Sequence, residues 1–575
     1  MSKTLIFDIE TNGLLLEVDK FWVGVTYCIE TKEEKVFYDA DEMVEELNES
    51  DCIIGHNIIG YDIPALTNLS RITLNPRGRV IDTLILAKLA YYDKDRSWSH
   101  SLEAYGERLG FKKGEHSDWS KYTKEMEEYC KRDVQVTKKL YTHLKRKTTW
   151  LPETALQLEQ DVQRIITQQY INGWEFDEEK GRRLHIELVR EKEIAEASLW
   201  GTFKPKFLPD GKVKVPKRPF RRLGVTTAGP HQPIKYTTFN PGSGRHVVWW
   251  VESVLGKQNW ILTDKGNPKT DADTLGEMFK DEPFLKPLLH YLEVNKLLGQ
   301  LATGPKAWLG LVRDGKIHGG VDILGANSGR ATHSNPNVAQ VPSIRAYKGK
   351  EARSLFTVPK DKVLVAADLS GVELRCLAHY MARYDGGAYA DVILNGDIHT
   401  ANMEAAGLTS RDQAKTMIYG YLFGAGDGKI GQIVDGTAKD GKKIRATFEK
   451  KLPAIGKLAT AVQKAAKRKY LVGITGRRLH VRSPHSALNT LLQSLGAYVS
   501  KYWMIEIHKM LDEEGIKCKQ LAWIHDEIEF ECEKGDADRV GEILEEAALR
   551  AGEIMGMRMP IHAEAQKGRS WDEVH

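Results

Sequence analysis

Two apolar runs, far apart in the chain, each close on a carboxylate. TLIFDIE, at residues 4–10, carries Asp8 and Glu10, and VLVAADL, at residues 363–369, carries Asp368. Each run has the length and apolar character of a buried strand. Residues two apart on a strand share a face, so Asp8 and Glu10 project side by side. An ionised carboxylate is too costly to bury without a partner. The full length of 575 residues leaves room for about three to five domains.

Composition constrains the chain less than these runs do. Hydrophobic residues make up 41% and charged residues 28%, which suits a large globular protein. A formal net charge of +4 is too small to require a nucleic-acid partner, so any such contact must come from local basic patches. Cys28, Cys52, Cys130, Cys376, Cys518 and Cys532 include no C-x-x-C pair. That argues against a zinc site or a disulfide framework and fits a reducing cytosol. We expect no signal peptide, no membrane span and a cytoplasmic, soluble protein.

Residues 1–150 run from strand-like TLIFDIE and VGVTYCI to helix-like DTLILAKLAYY and EMEEYCKRDVQVTKKLYTHL, which predicts an α/β or α+β domain. LPETALQLEQDVQRIITQQYING opens a new helical region. Residues 200–245 break the pattern: GTFKPKFLPDGKVKVPKRPFRR is rich in Pro, Gly, Lys and Arg and reads as an exposed insertion. A solvated loop and a contact with DNA or a partner remain equal alternatives for it. From residue 315 onward strands and helices mix.

Two features strengthen the first carboxylate pair. One is Asp62 in GHNIIGYDIPAL; the other is Tyr129 and Asp133 in EEYCKRDV, one helical turn apart on a shared face. Acids that converge repel one another unless cations sit between them, and carboxylate oxygens suit Mg²⁺ or Mn²⁺. Asp8, Glu10, Asp62 and Asp133, in this order with Tyr129, resemble the DEDDy exonuclease superfamily. The resemblance implies a ribonuclease H-like domain in which the four acids hold two metals and the tyrosine orients the attacking water. Asn57 is read as near the DNA strand or as a structural hydrogen-bonding group, and His56 and His100 as structural.

The second cluster joins Asp368 to LAWIHDEIEFEC, two short strands around His525, Asp526 and Glu527. If the strands are neighbours, Asp368 and Asp526 meet and can grip two metals for in-line phosphoryl transfer. Between them, Arg411, Lys415, Tyr419 and Phe423 step four residues at a time along one helix. Two cations and two rings suit a nucleotide, and an ordinary amphipathic helix gives the same stripe.

Together these segments resemble family A DNA polymerases: Asp368 to Glu373, Arg411 to Gly424, and His525 to Glu527 match its three motifs. GRATHSNPNVAQVPS, LNGDIHTAN, HVRSPHSALNTLLQS and SWDEVH are most similar to the replicative polymerases of short-tailed phages. The resemblance spans nearly the whole chain. It implies a right-hand polymerase after the exonuclease, acting in the cytoplasm of an infected bacterial host. Implied boundaries are exonuclease 1–150, thumb 151–310 with the insertion, palm 311–400, fingers 401–475 and palm again 476–575. Two Mg²⁺ per site are implied, with Mn²⁺ as an alternative.

By the same resemblance, Asp368 and Asp526 bind both polymerase metals, with the Leu369 carbonyl as a further ligand and Glu527 just behind. His399, Arg411 and Lys415 contact the triphosphate, and Lys415 can protonate the leaving pyrophosphate. Tyr419 packs against the incoming nucleotide and Glu373 is the gate against a ribose 2′-OH. Arg330, His485, Asn489 and Gln493 contact the duplex in its minor groove, and His525 holds the primer end. Primer–template DNA and dNTPs are the implied substrates, and a phage helicase-primase is a further implied partner.

Two positions depart from the pattern. Phe423 stands where many relatives have a tyrosine whose hydroxyl helps fix the gate glutamate, so Glu373 is expected to be held less firmly. The 200–245 insertion lies where the phage enzymes carry a thioredoxin-binding loop, but it is short. A stub touching DNA phosphates, with salt-sensitive binding, is favoured over a thioredoxin-like processivity factor. A nuclease with a DNA-binding C-terminal half, a polymerase with an inert nuclease module, a non-catalytic scaffold and a single-subunit RNA polymerase fit less well. Each leaves intact acids, Arg411 and Lys415, or Glu373, without a use.

Overall fold

β1 (Thr4–Thr11) is buried at most of its positions and lies at the centre of a sheet. It pairs antiparallel with β2 (Phe21–Cys28) and parallel with β4 (Cys52–Gly55). β3 (Glu34–Phe37) and β5 (Arg79–Asp82) complete the order β3-β2-β1-β4-β5. This is the ribonuclease H-like arrangement expected from the sequence. The helix Lys124–Lys147 covers the sheet. Its buried residues Met126, Cys130, Asp133, Thr137, Leu140 and Leu144 recur three to four apart, the spacing of one helical face. Thr123 caps its first turn by accepting a hydrogen bond from the Met126 amide at 3.2 Å. The computed structural model describes residues 2–575 apart from 95, 96, 113, 115, 216–228 and 264.

A second sheet is antiparallel throughout. Its strands run Lys519–Ile524, Glu527–Glu533, Lys362–Leu369 and Ala563–Gly568 in spatial order. The helices Ala487–Glu514 and Ala537–Ile554 pack together, and the second of them lies on this sheet. Both contribute to one large apolar core. The segment between the sheet's strands is helical, including Ile398–Ala406, Arg411–Leu422, Ala438–Lys451 and Pro453–Ala466.

The chain divides into two compact units: Met1–Trp174 with His318–Ala339 and Val358–His575, and Glu175–Ile317 with Gln340–Thr357. This division differs from the boundaries expected at 151 and 310. The helix Glu153–Asn172 belongs with the first unit because its polar residues are bonded there. Glu159, fully buried, pairs with the fully buried Lys501 at 2.6 Å and accepts from the Tyr498 hydroxyl at 2.7 Å. Tyr498 in turn receives a bond from Arg477 at 3.0 Å. The second unit is built on the helices Glu178–Thr202 and Lys286–Leu298. Its core holds Phe203 stacked on Phe239, with ring centres 4.5 Å apart, and Trp250 at 4.7 Å from Phe239. Residues 216–228 of the predicted insertion lie outside the described residues. Among the described residues, no helix is long and apolar enough to cross a membrane.

Removing one member of a buried ion pair strands the other, at a cost of about 3–5 kcal/mol. Glu159→Leu should therefore lower unfolding stability by about that amount. The double variant Glu159→Leu/Lys501→Met should recover much of the loss, because the stranded ammonium goes too. Urea titrations of the wild type, both single variants and the double variant measure the coupling.

Candidate active sites

The first site is assembled by β1 and two helices. Asp8 lies opposite Val25 and Glu10 opposite Val23 in the pairing with β2, so both acids leave one face, as their spacing predicts. Asp62, buried, is the first residue of the helix Asp62–Leu69. Burial, then the charges of Asp82 and Glu10, push its carboxyl up to about 8. Asp133 is buried on the long helix, one turn after the half-buried Tyr129. Cys130 reports the convergence: burial raises its thiol well above the usual range, and Asp8, Glu10, Asp133 and Asp62 all add to the shift. Its Sγ donates to the Asp8 carbonyl at 3.4 Å. Carboxylates this buried and this close are poorly tolerated as bare anions. The donor set, hard oxygens with room to share, fits divalent cations such as Mg²⁺.

Around the acids the structure places groups that the sequence reading missed. Trp119 donates from its indole to Glu10 at 3.1 Å and lies edge-on to Tyr129, with ring centres 6.4 Å apart. A cleft of about 580 Å³ beside Tyr129 is lined by Lys112, Gly114, Lys124, Glu125, Glu128 and Arg132 as well. Asp82 is buried and holds the loop that leads into Asp62. It accepts from the Asn57 amide at 2.9 Å and the Ile59 amide at 3.1 Å, and it caps the next helix at Leu84, also at 2.9 Å. The bond at Asn57 coincides with a left-handed backbone there, φ 65°, so the structural reading of that residue has a direct basis. His56 bonds Thr83 at 2.9 Å and the His100 carbonyl at 3.1 Å, and His100 bonds Tyr105 at 2.8 Å. Both histidines brace the fold.

The second site sits on the antiparallel sheet. Asp368 is opposite Glu527 on one neighbouring strand and Glu564 on the other. His525 and Asp526 form the tight turn between the strands that flank them, with His525 at φ 62°. The Leu369 amide donates to the Asp526 carbonyl at 2.9 Å. That bond fixes the turn next to the Asp368 strand. Burial, then Glu373 and Asp368, push Asp526 up to about 7. Glu527 is buried behind the turn and accepts from Trp571 at 2.6 Å. His575 bonds the same oxygen at 2.5 Å and comes within 3.8 Å of Asp368. The ending SWDEVH thus supplies two side chains that contact motif acids.

The helix Arg411–Leu422 carries the predicted stripe. Arg411 and Lys415 are exposed, and both push the His399 imidazole down after its burial does. The three basic groups therefore lie together. Arg411 pairs through two nitrogens with Asp397, at 2.8 and 3.2 Å, and holds that carboxyl well below the usual range. The rings of Tyr419 and Phe423 are nearly parallel at 6.4 Å. Burial raises the Tyr419 hydroxyl, and the charges of Glu373 and Asp526 add to it, which places the ring facing the acids. Glu373, on the first turn of the helix Val372–Asp385, is bound by Arg330 at 3.2 Å. So Glu373 has an anchor that does not depend on position 423.

His485 lies in the short turn Pro484–Ser486, and Asn489 and Gln493 follow one turn apart on the helix Ala487–Glu514. Gln493 lines a cleft of about 480 Å³ with Ser328, Arg482 and Thr490 among others. His525 packs edge-on to His333, with ring centres 5.8 Å apart, and burial drops the His333 imidazole to about 4.

Comparison with known proteins bears on this geometry directly. The family described as DNA polymerase family A matches residues 224–573. The DNA-directed DNA polymerases of Enterobacteria phage T3 and Escherichia phage T7 are each 35% identical over 707 residues, covering 99% of this chain and 100% of the relative. The DNA polymerase I of Geobacillus stearothermophilus is 27% identical over 52% of this chain and 36% of its own length. Among solved structures, the POL domain of Pol1 from M. smegmatis, in complex with DNA primer-template and dNTP, superposes with a TM-score of 0.79. It shares 19% identity and covers 100% of this chain and 96% of that one, a likeness of fold. With one family spanning more than half of the sequence and relatives matching end to end, the chain belongs to DNA polymerase family A.

Proposed function

We propose that this protein is a template-directed DNA polymerase of phage type with an integral 3′→5′ proofreading exonuclease. The observation that carries the polymerase reading is the approach of Asp368, near the end of its strand, to Asp526 in the turn of the neighbouring hairpin, in a chain of this family. The exonuclease reading is carried by the convergence of Asp8, Glu10, Asp62 and Asp133 around Cys130, with Tyr129 on the same helix. In this reading the second compact unit is the thumb and the helices from Ile398 to Ala466 are the fingers. Primer–template DNA and dNTPs are its substrates, as they are the ligands of the M. smegmatis relative.

At the polymerase site, Asp368 and Asp526, with the Leu369 carbonyl, would hold Mg²⁺ or Mn²⁺. Bound there, the metals supply charge neutralisation for the attacking and leaving oxygens. The chain's own residues do the rest. Arg411, Lys415 and His399 bind the triphosphate, with Arg411 exchanging Asp397 for phosphate. Lys415 offers a proton to the departing pyrophosphate. Tyr419 stacks on the nucleotide, and Glu373, held by Arg330, closes the space a 2′-hydroxyl needs. Asn489, Gln493 and His485 read minor-groove acceptors that every base pair presents, and His525 steadies the primer end. At the exonuclease site, Asp8, Glu10, Asp62 and Asp133 would hold the same kind of ion, and Tyr129 orients the water. Pocket shape separates similar substrates by only about 1–3 kcal/mol, so a second site that removes frayed ends adds a further round of selection.

A labelled primer–template with Mg²⁺, with and without dNTPs, tests the reading. Asp368→Ala should abolish extension and leave 3′ shortening intact, whereas Asp8→Ala should do the reverse. Loss of both activities in either folded variant would refute separate sites. The gate gives a second expectation. Because Arg330 anchors Glu373, Arg330→Ala should raise ribonucleotide relative to deoxynucleotide incorporation by about tenfold or more. Phe423→Tyr should lower it by less. Competition assays with paired rNTP and dNTP measure the ratio, and a larger effect at position 423 would show that the hydroxyl, not the guanidinium, governs the gate.

A further inference from the structure

The second compact unit carries a feature that neither site uses. A two-stranded hairpin pairs Lys206–Pro209 with Ile234–Thr237. Phe207 lies opposite Tyr236 and Pro209 opposite Ile234, so these four project from one face. Leu208, between them in sequence, turns the other way into the unit's core. The outer face is exposed: Phe207 59%, Ile234 63% and Tyr236 60%. The rings of Phe207 and Tyr236 have centres 5.1 Å apart and form a continuous aromatic surface. Such a surface on a folded protein marks a binding site more often than chance.

The charge around the rings selects the occupant. Lys204, Lys212 and Lys214 are exposed beside the hairpin, and Asp210 is the single acid between residues 200 and 245. Exposed rings set among cations suit a ligand with flat apolar faces on an anionic backbone, and a single-stranded nucleic acid has both. A duplex hides its base faces in the stack. We propose that the Phe207–Tyr236 hairpin is a platform for single-stranded nucleic acid. Unpaired bases stack on the two rings, and the lysines neutralise the phosphates. The platform deepens the phosphate-contact reading of the insertion by naming the strand state it prefers, and it shares no residue with either carboxylate site.

Full-length protein, without divalent metal so that the strand stays intact, is titrated with fluorescent oligothymidine and read by anisotropy. Phe207→Ala/Tyr236→Ala should bind about tenfold more weakly. Tyr236→Phe should match wild type, and Tyr236→Leu, which keeps the apolar bulk but not the π-face, should be weakened. An oligonucleotide bearing iodouracil should photocrosslink to Phe207 or Tyr236, as mapped by mass spectrometry. Extension of a primer with a minimal template overhang should be unchanged in all these variants, so a failure of the polymerase reading would appear there and nowhere else. Equal oligothymidine affinity in the double alanine variant, with crosslinks only outside the hairpin, overturns the proposal. So does an unchanged affinity accompanied by lost binding to thioredoxin or lost self-association in sedimentation, which would assign the face to a protein partner.

Discussion

Asp62 and Asp526 are both held far above the ordinary carboxylate range, and in each case burial leads and neighbouring acids follow. Nothing in the packing of an apolar core favours that arrangement. Two sheets, one mixed and one antiparallel, each deliver an acid at a strand's end, and each then brings a second acid from a turn or helix start against it. A fold that concentrates negative charge in this way is less stable as apo-protein than one with neutral side chains there. The structure accepts that cost at two places, where a proton or a cation can relieve it, and builds around each with groups that keep the acids in place. Asp82 does so for the loop before Asp62, and the Leu369–Asp526 bond does so for the turn.

How much of this was legible in the sequence depends on distance along the chain. Asp8 and Glu10 could be read as partners because strand geometry relates residues two apart, and Tyr129 and Asp133 because helix geometry relates residues four apart. The α/β or α+β class of the first domain followed from the same local periodicities, whereas the ribonuclease H-like and right-hand folds were implied by the family resemblance. What escaped was contact between segments that no period relates. Trp119 on Glu10 and Trp571 and His575 on Glu527 join positions whose sequence distance carries no signal. Asp82 caps the helix that follows it; its second duty toward Asn57 and Ile59 appears only when β4 and β5 lie side by side. The helix Glu153–Asn172 is expected by its place in the chain to join the segment that follows it. Its buried Glu159 is explained by Lys501, Tyr498 and Arg477, all far away in sequence.

Glu373 shows how a motif comparison can miss the interaction that holds a side chain. A phenylalanine at position 423 lacks a hydroxyl, and from sequence alone that loosens Glu373. In three dimensions Arg330 reaches Glu373 from another loop at 3.2 Å. A guanidinium bonded to a carboxylate is a stronger tether than a phenol hydroxyl. Phe423 is left to lie against Tyr419, where an apolar ring suits the face of a base. The same arginine also weakens the field that raises Asp526, so one side chain serves Glu373 and the acid pair together.

Adjacent residues of a single helix tie the two carboxylate centres to a common frame. Gln160 accepts the Asp82 amide at 2.8 Å and donates to the Val80 carbonyl at 2.9 Å, on the strand that leads to the first site. Glu159, one position earlier, binds Lys501, and Ser500 beside it donates to the His525 carbonyl at 2.6 Å, at the turn of the second site. Trp523 donates to the same Ser500 hydroxyl at 2.6 Å. These bonds are buried, the one at His525 partly so, and an unmade bond in such a place is expensive. Neither loop can shift without breaking bonds that also fix this helix. A frame that fixes both loops through neighbouring residues keeps each set of acids in register.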